Sequence, residues 1–308
     1  MEVEKNKTRV LVVCGPTGIG KTSAAIGLAE IFGGRIVSAD SMQIYRRMDI
    51  GTAKPTAAEV ARIPHAMVDV VDPDAPFDAA RFSQMASKEI EKIEAARLLP
   101  IVAGGTGLYI KALVHGLFRA RPANAALLAR LTAEAEARGS AEMHLALSAV
   151  DPAAAGRIHP NDTFRVVRAL EYFTATGERI SDCQSSHGFA EAPYRVLKLG
   201  LAMEREALYD RINRRVDMML DEGLLAEVRG LLEMGYGPSL KSMQSIGYRH
   251  MCDFITGEFT WEETVGLLKR DTRRYAKRQM TWFRKDDQIV WVDASDTAAM
   301  ARQVEKWL

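Results

Sequence analysis

Gly15-Pro16-Thr17-Gly18-Ile19-Gly20-Lys21-Thr22 follows the apolar run Val10-Leu11-Val12-Val13-Cys14 and opens a helix-compatible stretch. This segment fits G-x-x-x-x-G-K-[ST] at every position, in the strand-then-helix context the motif requires. Glycines let successive backbone N–H groups curl around phosphate oxygens, aided by the positive end of the following helix. Lys21 adds a mobile charge, and the Thr22 hydroxyl suits Mg²⁺. A Gly-rich turn before a helix is the plainer alternative. The segment predicts an α/β fold, a P-loop NTPase-like parallel sheet core.

Outward from it, short apolar runs alternate with amphipathic stretches, the pattern of a parallel sheet covered by helices. Strands are expected at 10–14, 35–39, 67–71, 100–103, 194–201 and 288–292, with helices at 22–31, 82–97 and from 108. Between 119 and 195 the chain turns Ala-, Leu- and Arg-rich with helical spacing. We read 1–118 and 196–308 as the core and 119–195 as an inserted helical domain.

The chain has 308 residues, 47% hydrophobic and 26% charged, with a net charge of +1. Charge alone therefore does not announce a nucleic-acid binder; its distribution matters more. Three scattered cysteines without a C-x-x-C pair indicate neither a disulfide framework nor a zinc site. No apolar run reaches the roughly 18 residues of a membrane span, so a cytoplasmic protein is expected.

In a parallel sheet the ends of neighbouring strands share one edge, where ligands bind. Ser38-Ala39-Asp40-Ser41 closes the second strand, so Asp40 can act as a general base or a metal ligand, or merely shape a turn. Gly104-Gly105-Thr106-Gly107 ends another strand, where Thr106 can serve a ligand or cap a helix. That strand lacks the terminal aspartate usual in ATP-hydrolysing relatives of the fold.

Six segments, GPTGIGKT (15–22), SADSMQIYRRMDIGTAKP (38–55), GGTGLY (104–109), RIHPNDTFRVVRALE (157–171), QSIGYR (244–249) and RRYAKRQMTWFR (273–284), fall in order along nearly the whole chain. Together they resemble the tRNA dimethylallyltransferases (isopentenyl-tRNA transferases) of bacterial type. The resemblance implies transfer of a dimethylallyl group from dimethylallyl diphosphate to N6 of an adenine in tRNA, at position 37 beside the anticodon. It implies Mg²⁺ as cofactor, the anticodon stem-loop as partner, and a monomer with no protein partner and no membrane. Gly15, Pro16, Thr17, Gly18, Ile19, Gly20, Lys21 and Thr22 would hold the diphosphate, with Thr22 as metal ligand. Asp40 would be the base, Thr106 would position the amine, and Arg211, on a helical face with Arg214, would meet the diphosphate.

For tRNA, the resemblance points to Asp40, Ser41, Met42, Gln43, Thr106, Arg165, Arg168, Gln244, Lys277 and Arg278. Residues 269–285 hold eight basic side chains and one acid. Arg270, Arg274, Lys277, Thr281 and Arg284 share one helical face, expected to meet phosphates, while Leu268, Tyr275 and Trp282 share another, expected to pack on the core. A merely solvated face is the alternative reading of that run. Leu128 stands where an arginine contacting tRNA is expected, Gly18 replaces a common alanine, Ala66 removes half of a Pro-His-His, and no zinc-finger extension follows Leu308. A small-molecule kinase would share the P-loop but not need the basic helix. An RNA-binding protein with a relic P-loop would not need Asp40.

Overall fold

Apolar, β-branched runs free of charge are what a strand covered on both faces demands. The computed structural model, which describes residues 7–116, 124–187 and 192–308, places such runs in a parallel sheet. In chain order the elements begin β1 (Arg9–Cys14), α1 (Lys21–Phe32), β2 (Gly34–Ser38), α2 (Ala57–Arg62), β3 (His65–Ala66), α3 (Ala79–Ala95), β4 (Leu99–Gly104) and α4 (Gly107–His115). A helical stretch follows: α5 (Ala125–Arg138), α6 (Ser140–Val150), α7 (Pro152–Ala155), α8 (Thr163–Thr176) and α9 (Ile180–His187). The chain then forms β5 (Arg195–Ala202), α10 (Arg205–Asp221), α11 (Leu224–Glu233), α12 (Tyr248–Ile255), α13 (Trp261–Phe283), β6 (Ile289–Asp293) and α14 (Thr297–Trp307).

The six strands run in the order β3-β2-β4-β1-β5-β6, and every pairing is parallel. Strand β1 is therefore flanked on both sides, and Val10 to Cys14 are all buried. Leu11 and Val13 pack with Ala25, Ile26 and Ala29 of α1 and with Met300 and Val304 of α14. Helix α3 buries Phe82, Ala86, Ile90 and Ile93 at helical spacing and contacts β2 and β4. Helix α1 stops at Gly33, whose left-handed φ of 66° lets its N–H bond to Ala29 O.

The expected strand at 67–71 does not form. Met67 and Asp69 take φ of 64° and 55°, a left-handed conformation that no strand tolerates. The pairing with β2 is made earlier, by His65 and Ala66, and Val71 forms one isolated bridge to Tyr45.

The chain divides into two compact units, Met1–Val114 with Ala192–Leu308, and His115–Glu191. The boundary expected between 118 and 119 lies outside the described residues. In the second unit, Leu131, Met143, Leu147, Val166, Val167 and Leu170 form a buried core among helices. Buried Asp151 accepts bonds from Ala154 N (2.9 Å) and Ser181 N (3.0 Å), so one carboxylate caps α7 and anchors α9.

At the carboxyl edge of the sheet, β2 and β4 approach until side chains no longer fit between them. Ala39 N bonds to Ala103 O at 2.8 Å, and Thr106 N bonds to Ala39 O at 3.2 Å. A Cβ on Gly104 would lie 2.1 Å from Ala39 O. Gly104→Ala is expected to cost about 3 kcal/mol or more of unfolding free energy, the upper end of core overpacking. Gly27→Ala, in α1 with open space around its Cβ, should gain up to about 1 kcal/mol instead. Urea denaturation of both variants checks the contrast.

Candidate active site

The phosphate-type loop joins β1 to α1 through a path with glycine at three positions of positive φ, Gly15, Gly18 and Gly20. Gly20 takes φ of 102°, and a Cβ there would lie 3.3 Å from the Arg211 guanidinium. Lys21 Nζ donates to Pro16 O at 2.8 Å, folding the side chain over its own loop. Burial pulls the Lys21 ammonium down to about 8; Asp40 opposes that pull and Arg215 reinforces it. Thr22 sits half-buried beside it.

Asp40 follows β2 where Ala39 is clamped to β4. Its Oδ1 accepts from Met42 N at 2.8 Å and Gln43 N at 3.4 Å, so the turn reading of this residue holds for one oxygen. Thr106 Oγ1 accepts from Ser41 N at 3.0 Å and lies 3.3 Å from Ser41 Oγ. The expected neighbours Asp40, Ser41 and Thr106 are thus brought together by main-chain bonds. Gln43 is held by Ser38 Oγ, which donates to its Oε1 at 2.8 Å, and by Ala53 O, which accepts from its Nε2 at 3.0 Å.

Two cavities open at this edge. One, of about 700 Å³, is lined by Thr17, Lys21, Thr22 and the arginines 211, 214 and 215. The other, of about 550 Å³, is lined by Ser41, Met42, Gln244, Arg249 and Arg278 among others. Thr17, Asp40, Thr52, Arg215 and Tyr275 border both. The first cavity is cationic, and the second combines apolar walls with guanidinium groups.

Three of these residues escaped sequence reasoning. Gln279, buried on α13, accepts from Thr17 N at 2.8 Å and donates to Gly105 O at 2.9 Å. It ties the first loop to the third across 262 and 174 residues, and the signal for it was a polar residue inside the buried helical stripe. Tyr275 lies beside Thr106 and Gln279, and burial with nearby Asp40 keeps its phenol protonated. Arg215, half-buried one residue beyond Arg214, lies within electrostatic reach of Asp40 and Arg211.

The basic run folds as α13, started by a Thr260–Glu263 capping box. Its buried stripe is Thr264, Leu268, Ala276, Gln279 and Phe283. Trp282, expected on the packed face, is 41% exposed, because the helical turn that carries it gives its inward positions to Gln279 and Phe283. Lys269 pairs with Asp217 at 2.6 Å, and Arg270 and Arg274 with Asp271 at 3.0 and 3.6 Å. Lys277, Arg278, Arg284 and Lys285 have no ion pair among the described residues; Arg278 lies over the Tyr275 ring at 5.7 Å. Gln244 Nε2 donates to Pro238 O at 2.5 Å.

In the helical unit Arg165 is exposed and 3.4 Å from Asp162. Arg168 pairs with buried Glu171, whose other oxygen accepts from Asn124 N at 2.8 Å. Leu128 packs against the helical core, and Arg130 is exposed. His65 Nδ1 bonds to Ile63 O at 2.7 Å, and its Nε2 is buried without a hydrogen-bond partner.

Among the described residues no cluster of three or more His, Cys, Asp or Glu could cage a metal. Mg²⁺ usually takes one or two protein oxygens and fills its octahedron with water and phosphate. The Thr22 hydroxyl and Asp40 carboxylate, hard oxygen donors on one cavity wall, fit that requirement.

Comparison with known proteins matches the chain to the IPP transferase family over residues 43–286. It is 57% identical to the tRNA dimethylallyltransferase of Desulfosudis oleivorans, covering 94% of this chain and 92% of that protein. It is 52% identical to the Geobacter metallireducens enzyme of the same name, covering 94% of each. Among solved structures, the full-length tRNA isopentenylpyrophosphate transferase of Bacillus halodurans aligns with a TM-score of 0.74 and 40% identity, over 98% and 97% of the two chains. A eukaryotic dimethylallyltransferase acting on tRNA aligns with a TM-score of 0.81 and 30% identity, over 96% of this chain and 78% of that one.

The depressed Lys21 makes the cationic cavity pH-sensitive. Its ammonium, the form that attracts phosphate, is present below about pH 8 and lost above it. Pyrophosphate affinity should therefore fall between pH 7.5 and 9.5 relative to Lys21→Met, by up to about tenfold per pH unit. Calorimetric titration of both proteins across that range checks the sign; parallel profiles would remove Lys21 from the grip.

Proposed function

The chain belongs to the IPP transferase family and is a transferase that prenylates tRNA, and from that premise we propose how its residues divide the work. The donor is dimethylallyl diphosphate, and the acceptor is N6 of the adenine beside the anticodon. The observation that carries this reading is the position of Asp40 on the shared border of a cationic cavity and a mixed apolar one. A diphosphate suits the first and an extruded base the second. An adenine stacked in the anticodon loop must leave the stack to reach such a cavity.

In the reaction, the bond from the allylic carbon to the diphosphate oxygen breaks as N6 bonds to that carbon. The electron pair leaves with the diphosphate, and an N6 proton passes to Asp40. Charge grows on the leaving phosphates, where the loop amides, Lys21 and Arg211 form a preorganised positive surface. The neighbouring Arg215 supplements Arg211. Mg²⁺, held by Thr22 with Asp40 in reach, would supply further charge neutralisation at the diphosphate. Thr106 orients the amine, and Gln279 ties the loops on either side of it through Thr17 N and Gly105 O. Ser41, Met42 and Gln244 border the base, while Gln43 lines the diphosphate cavity beside Asp40.

Lys277 and Arg278, with Arg165 and Arg168 of the helical unit, are assigned to tRNA backbone. Lys277 and Arg278 are exposed and outside the ion pairs that occupy the first half of α13, which supports that role. For Arg168 the pairing with Glu171 makes the contact conditional on exchanging partners. Among the described residues no helix is long and apolar enough to cross a membrane; we place the chain in the cytoplasm with its tRNA, acting as a monomer.

The decisive experiment incubates the protein with an unmodified anticodon stem-loop and dimethylallyl diphosphate and weighs the RNA by mass spectrometry. Unchanged RNA, with ATP protecting the protein against heat better than the prenyl diphosphate, would favour a kinase. Asp40→Asn should lower turnover by roughly 10²–10⁴-fold, as for loss of a general base, with little change in melting temperature. Partial rescue by raised Mg²⁺ would reassign Asp40 to the metal.

Replacing Lys277 and Arg278 with alanine should flatten the salt dependence of tRNA binding by about one unit per lost phosphate contact. Affinity for the prenyl diphosphate should stay unchanged. An unaltered slope would make the run a solvated face.

A further inference from the structure

The most distinctive stretch of the sequence, Asp49-Ile50-Gly51-Thr52-Ala53-Lys54-Pro55, supplies no group to the chemistry above. Its conformation is nevertheless tightly specified. Asp49 N and Ile50 N donate to Glu227 Oε2 at 2.9 and 2.8 Å. Gly51 N and Tyr248 OH donate to Glu227 Oε1 at 3.2 and 2.6 Å. Two donors on each oxygen fill the accepting capacity of a carboxylate. Burial and the Glu227 charge keep the Tyr248 phenol protonated, so it stays a donor.

The loop can approach only because position 51 is glycine: a Cβ there would lie 2.5 Å from the Tyr248 ring. On the other side of the loop, Lys54 Nζ donates to Tyr45 O at 2.7 Å and contacts Asp49 and Asp69 at 2.5 Å each. What this arrangement delivers is the pair of carbonyls at Thr52 and Ala53, which accept from Gln43 Nε2 at 3.4 and 3.0 Å. Thr52 itself borders both cavities, and the Gln43 main-chain N–H donates to Asp40 Oδ1 at 3.4 Å.

We propose that Glu227, on α11 and outside both cavities, is a positioning residue for the transfer step. It aligns three consecutive amides, which sets the Thr52 and Ala53 carbonyls, which in turn set Gln43 beside Asp40. The inference rests on the prenyl-transfer reading of the site. A carboxylate suits the task because it accepts from three amides at once. Glutamine, with one accepting oxygen and an NH₂ group facing N–H donors, does not.

The test is Glu227→Gln, with Tyr248→Phe as a milder variant that removes one of the four donors. Both are compared with wild-type protein in steady-state prenyl transfer to the stem-loop, and in calorimetric binding of inorganic pyrophosphate. Displacing reacting groups by about 1 Å can cost up to 10²-fold. For Glu227→Gln, kcat should fall about 10- to 100-fold per folded molecule, with pyrophosphate affinity within about twofold of wild type. Tyr248→Phe should lie between it and wild type.

Unchanged kcat per folded molecule, even with a lowered melting temperature, would make Glu227 a purely structural anchor and overturn the proposal. An equal loss of pyrophosphate affinity would overturn it too, since the phosphate loop is not in the chain of contacts. Failure of the wild-type protein to prenylate the stem-loop would instead sink the reading of the site.

Discussion

Everything at the site depends on the close approach of two strand ends, where Ala39 and Gly104 meet with no side chain between them. That approach lets Ala39 bond to β4 on one side and receive Thr106 N on the other. Asp40 and Thr106, sixty-six residues apart in sequence, are thereby fixed in one neighbourhood by backbone alone. Backbone contacts change little with rotamer, so the placement of these two residues is inherited from the rigid sheet.

Around this point the charges are arranged unequally. Lys21 and three arginines crowd one cavity, while Asp40 is the carboxylate that faces both. Burying the Lys21 ammonium is costly in the absence of an anion, and its low pKa records that cost, to which Arg215 adds. A bound anion would relieve it. The cationic excess is local, since Lys54 and the first half of the basic helix are neutralised by aspartates. A net charge of +1 thus conceals a strongly polarised surface.

Legibility in the sequence followed the range of the interactions concerned. The glycine-lysine loop, β1, β2 and β4 are local signals, and each stands within a residue or two of its expected place. Asp40 and Thr106 were found because strand ends in a parallel sheet share an edge. Gln279, Tyr275 and Arg215 were missed because their importance lies in partners over sixty residues away in the chain. The strand expected at 67–71 failed because Met67 and Asp69 are bent into left-handed conformations while Lys54 binds Asp69. Trp282 misled because a seven-residue spacing predicts a face but not which neighbour on that face turns inward.

The Gln279 bridge also has a consequence for how the protein is made. The phosphate loop emerges from the ribosome well before α13, so its Thr17 amide finds its partner only when residue 279 has followed. At roughly 5–20 residues per second, 262 residues of separation amount to about 13–50 s of waiting. For the earlier part of that interval β1 also lacks its neighbour β5, which is Arg195–Ala202. A nascent chain that has not reached residue 279 therefore carries the phosphate-binding motif without a finished site, and catalytic competence waits on α13.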